Sequence, residues 1–97
     1  MDKTAKQIEI PKELHKLRYR HFRPLLKQYG IKVLEFERNA GKYSGWVRSH
    51  AHKEFVPVVM VREMVNQIGV DVKIIIGRLE DIIEMERVIE ERRKSRS

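Results

Sequence analysis

The chain contains no cysteine, which removes disulfide scaffolds, thiolate metal sites and cysteine nucleophiles together. No apolar run approaches the ~18 residues that a membrane-spanning helix requires. The five glycines stand apart at 30, 41, 45, 69 and 77, so no glycine-rich loop is available to cradle phosphates. The opening segment MDKTAKQIEIPKEL carries charges where a secretory signal has its apolar core, and the expectation is a soluble, cytoplasmic protein. Aromatic residues are 7% of the chain. An active site needs a nucleophile and base, or paired carboxylates, in a pocket. Glu35 and Glu37 would share one face of a strand, but a solvent-facing strand accounts for them equally. His15 and His21 are six apart and fall on different faces of one helix, while His50 and His52 could chelate only on a strand or loop; no HExxH motif is present. The expectation is a protein without enzymatic activity, cofactor, metal or small-molecule substrate.

What is abundant is charge. Charged residues are 36% of the 97, against roughly 25% in ordinary domains, and the 41% that are hydrophobic suffice for one modest core. The totals are 21 Lys+Arg and 14 Asp+Glu, a net charge of +7. Residues 1–56 hold 13 of the cations and 6 of the anions, whereas residues 57–97 hold 8 of each. The whole positive excess lies in the N-terminal half, which is therefore the half suited to a polyanion. Two Asn, three Gln and many Glu, Lys, Arg, Ile and Val resemble the composition of proteins from heat-loving organisms.

Along the chain, residues 1–10 read as a polar arm with Ile8-Glu9-Ile10 as a short edge strand, and 11–91 as a single domain followed by a basic tail, 92–97. Pro11 suits the first turn of a helix, and Leu14, Leu17, His21 and Leu25 give it an apolar face over 11–29. Lys12, Lys16, Arg20, Arg23 and Lys27 form a second, cationic stripe. Pro24 predicts a kink, or two helices meeting near Phe22–Arg23. The β-prone runs IKVLEFE and YSGWVRSH, separated by a turn at Asn39-Ala40-Gly41, predict a β-hairpin over 31–50. This pairing would bring Phe36 and Trp46 together and leave Arg38, Lys42 and Arg48 to solvent. Val58, Val61, Val65 and Ile68 predict a short helix over 57–68, although EFVPVVMV also suits a strand. Asp71 is a plausible cap for a long helix over 71–91. The expected fold is thus α+β and mainly α, with a basic N-terminal helix, a β-hairpin, a short helix and a long C-terminal helix.

Val65, Gly69, Val70, Ile75 and Leu79 carry a pattern that resembles the helix-turn-helix of DNA-binding proteins, over residues 58–79. This resemblance implies that Lys73 and Arg78 face DNA. Val65 stands where Ala is usual, and Ile74 and Ile76 occupy positions suited to base-reading polar side chains. The segment Gln7–Leu14 looks like the strand-then-helix start of ribbon-helix-helix repressors. Ile68, Ile75, Ile82 and Ile89 recur every seven residues, a coiled-coil-like pattern, and a stripe of Ile75, Leu79, Ile82, Ile83 and Ile89 exceeds what so small a core readily covers, predicting a homodimer. The expectation is a dimeric binder of nucleic acid, duplex DNA first, acting as a transcriptional regulator or architectural protein through the basic helix and the hairpin cations. Two alternatives stand beside it: an RNA or single-strand binder that stacks bases on Tyr19, Phe22, Tyr29, Tyr43 and Trp46, and a protein-interaction module.

Overall fold

The core is assembled from both halves of the chain. Leu14, Leu17, Phe22, Leu25 and Leu26 meet Phe36, Trp46 and Val47, then Met60, Val61, Met64 and Val65, and finally Ile75 and Leu79. The structure, a computed structural model, describes residues 9–96. Among the described residues there are six helices: α1 (Lys12–His15), α2 (Tyr19–Gln28), α3 (Val33–Asn39), α4 (Trp46–Ser49), α5 (Val58–Ile68) and α6 (Val72–Arg96). No strand is present among them, so the α+β expectation and its hairpin over 31–50 are overturned. Glu9 and Ile10 are not in a strand, so the expected edge strand and the ribbon-helix-helix start fail there; residues 1–8 lie outside the described ones.

The hairpin is replaced for a legible reason. Val33, Phe36, Glu37 and Ala40 fall at i, i+3, i+4 and i+7, and all four are turned inward or partly so, which is the 3.6-residue period of a helix. Burial of that stripe outweighs the β preference of Ile31, Val33 and Phe36. Phe36 and Trp46 do meet, stacked at 5.9 Å with their planes 14° apart, but as residues of α3 and α4. Phe22 closes on Phe36 edge-on at 5.5 Å, so an aromatic row ties α2 to α3 and α3 to α4.

The expected basic helix over 11–29 is two helices. Its break falls at Lys16–Arg18 rather than at Pro24, which is carried inside α2. Leu17 is buried, and its carbonyl accepts the Val56 N–H at 2.8 Å, so tertiary bonding holds the chain extended where the helix would have continued. The cationic stripe is therefore divided between two axes. Residues 57–68 resolve as helix α5, preceded by Pro57. The chain then turns through Gly69, at φ +75°, a left-handed geometry that glycine adopts without strain. Asp71 caps α6 by accepting the Lys73 N–H at 2.9 Å. The 25 residues of α6 span about 37 Å; the helix packs along α2, and the molecule measures 56 × 28 × 24 Å. Among the described residues no helix is long and apolar enough to cross a membrane.

Candidate nucleic-acid interface

The turn between α3 and α4 is fixed by one buried carboxylate. Glu37 is 3% exposed; its Oε2 accepts the Val47 N–H at 2.8 Å and its Oε1 the Gly45 N–H at 3.1 Å. These two donors lie at the start of α4, where backbone N–H groups lack helical partners. Gly45 itself sits at φ +98°, outside the comfortable range of an L side chain. The α3–α4 angle is thus set by a buried charge, a glycine and the Phe36–Trp46 stack. Glu35 is exposed while Glu37 is buried: a helix places residues two apart on opposite faces, so the strand-face pairing of these carboxylates is corrected.

Around this turn the surface is cationic. Arg23 of α2 and Arg48 of α4 line an open groove with Val33, Leu34, Ser44 and Gly45, over the Glu37 carboxylate. Arg38 is exposed in the last turn of α3. Lys42 is exposed in the following turn, with its Nζ 5.4 Å from the centre of the Trp46 ring. From residue 18 to residue 53 the sequence has nine cations (Arg18, Arg20, Arg23, Lys27, Lys32, Arg38, Lys42, Arg48 and Lys53) and two anions, Glu35 and Glu37. One of those two anions is enclosed by backbone donors.

The other expected contacts fare differently. Lys12 and Lys16 are exposed but belong to or adjoin α1, while Lys27 is exposed near the end of α2. Arg20 is drawn to Glu86 of α6 at 3.0 Å, which His21 also binds through Nε2 at 2.9 Å. The His21 hydrogen bond lowers the Glu86 pKa most; partial burial opposes the shift and Arg20 adds to it. Lys73 and Arg78 are exposed on α6, in the half of the chain whose charges cancel. Among the histidines, His15 donates to the Ile10 carbonyl at 2.8 Å and His50 packs edge-on against Trp46. Among the described residues no group of three His, Asp or Glu could hold a metal ion.

The aromatic residues are mostly spent on the core. Phe22 and Trp46 are buried, and Tyr19 and Tyr29 partly so. Tyr43 is 61% exposed, with its hydroxyl on Ser49 Oγ at 2.8 Å. Of the expected dimer stripe, Ile75 and Leu79 are buried within the chain and Ile82 is partly buried. Ile83 and Ile89 remain exposed but lie about 120° apart around the helix. Sequence reasoning missed the burial of Glu37, detectable as a charge inside the Val33–Phe36–Ala40 stripe, and the exposure of Met85 on α6, which falls outside the seven-residue isoleucine repeat. Comparison with protein-family models, curated proteins and solved structures finds no match to this chain.

Proposed function

We propose that this protein binds nucleic acid without catalysing a reaction, and that duplex DNA is its target. The observation that carries this reading is the cationic surface around the α3–α4 turn, where Arg23 and Arg48 line one groove, Arg38 and Lys42 are exposed at the end of α3 and in the turn after it, and the groove's carboxylate, Glu37, is occupied by backbone N–H groups. Surface cations of this kind neutralise phosphates and release counterions. Exposed Leu34, Tyr43 and Ser44 border the same surface and supply apolar and hydrogen-bonding groups for base edges. The α3–α4 turn is favoured over the α5–α6 pair because the latter lies in the charge-neutral half and offers Lys73 and Arg78 beside Asp71, Glu80 and Asp81. Stacking on unpaired bases has little support, since Trp46 and Phe22 are core residues.

The test is fluorescence anisotropy with labelled duplex DNA, single-stranded DNA and RNA at two salt concentrations. Four phosphate contacts correspond to a loss of roughly 10²-fold in duplex affinity between about 50 and 200 mM salt. Arg23→Glu with Arg48→Glu should lower the slope of log affinity against log salt by about 2 or more. Retention of full affinity and slope in that double variant would remove the α3–α4 surface from consideration. A preference for single strands or RNA would overturn the duplex assignment.

A further inference from the structure

One apolar strip of α6 has no neighbour in the chain. Met85 is 61% exposed and Ile89 47%; with the partly buried Val88 they form a surface bordered by Asp81, Glu84 and Arg92. Ile83 is not part of it, since two residues along a helix turn through about 200°, and it borders a separate groove with Arg20, Glu86 and Arg87. The strip is electrically polar along its length, acidic at Asp81 and Glu84 and basic at Arg92. Among the described residues neither the Asp81 nor the Arg92 side chain has a hydrogen bond or ion pair, whereas Glu84 is engaged by Arg87.

We propose that this strip joins two copies of the chain, antiparallel and related by a two-fold axis that crosses α6 between residues 86 and 87. That axis exchanges position 81 with 92, 84 with 89 and 85 with 88. The pairing sets Asp81 opposite the partner's Arg92 at both ends and encloses Met85, Val88 and Ile89 between them. A parallel pairing would instead oppose Asp81 to Asp81 and Arg92 to Arg92, with the two helix dipoles aligned rather than opposed. Self-complementarity of one patch is what a two-fold interface requires, and the charge order along this strip supplies it in the antiparallel sense alone. The interface differs from a seam of Ile75, Leu79, Ile82, Ile83 and Ile89, because the first two are already core residues.

Sedimentation velocity of the full chain, without nucleic acid, should show the mass rising from 11.6 kDa towards twice that value across about two decades of concentration reaching the millimolar range. Met85→Glu with Ile89→Glu should weaken association at least about tenfold and leave the circular dichroism spectrum unchanged, since both side chains are exposed. Asp81→Arg and Arg92→Glu should each weaken the dimer, and their combination should restore it. As the chain has no cysteine, Asp81→Cys with Arg92→Cys should yield an intermolecular 81–92 disulfide; within one helix these positions are about 16 Å apart. Monomer at every concentration would overturn the proposal. So would a dimer that survives the Met85 and Ile89 substitutions, or one that crosslinks 81 to 81. No nucleic acid enters this measurement, so its outcome is separate from the binding assay above.

Discussion

Glu37 shows how a single side chain sets the geometry of a surface it never presents. Its carboxylate satisfies two N–H groups at the start of α4, and a buried donor left without an acceptor costs about 1–3 kcal/mol. Glu37→Ala should therefore destabilise the protein by about 2–4 kcal/mol, measured by urea unfolding, with Glu37→Gln falling between it and the unaltered chain because one acceptor oxygen remains. Glu86 is a second carboxylate held in place by its neighbours. The His21 hydrogen bond, with Arg20 beside it, holds its carboxyl below the usual carboxylate range. A lowered pKa in the folded state contributes stability that is present above the unfolded carboxylate value of about 4.3 and is lost as pH falls through the lower folded value. Unfolding free energy should thus decline on acidification below about pH 4.3, and Glu86→Gln should flatten that part of the profile.

Among the elements, α3 and α4 were the least accessible to sequence reasoning. Isoleucine, valine and phenylalanine over 31–36 favour strands locally, and a four-residue helix such as α4 has too few positions to display a period. The inward stripe of α3 includes a glutamate, which disguises it in any count of apolar residues. The helices α5 and α6 were legible because each is long enough for several turns, with Gly69 and Asp71 marking the junction, although α6 continues to Arg96 through residues expected to be a basic tail after 91. The proposed difference between the two helix pairs gives a direct comparison. Lys73→Glu with Arg78→Glu should change duplex affinity by less than about threefold near physiological salt, where screening acts within about 8 Å, while the Arg23 and Arg48 reversals remove most of it. Equal losses from both pairs of substitutions would return α6 to the binding surface.

Over the whole molecule, the division of charge read from the sequence maps onto the architecture. The net positive half builds α1 to α4, and the neutral half builds α5 and α6. The sequence identified the cations as a group, yet their distribution depended on bonds between distant residues, such as Leu17 to Val56 and Arg20 to Glu86, which no local pattern announces. One feature of the architecture also governs how the molecule opens. Between Val72 and Glu86 one face of α6 packs on the core or on the His21 and Arg20 anchor, whereas residues 87 to 95 are exposed except for Val88. A single helix thus contains two regimes of local stability. Backbone amides near Ile75 and Leu79 should exchange with solvent deuterium at the rate of global unfolding, and those beyond Glu86 orders of magnitude faster in dilute protein. With rising protein concentration the second group should slow, because opening the distal turns of α6 would first require the two copies to part, which makes the distal amides of α6 a gauge of self-association.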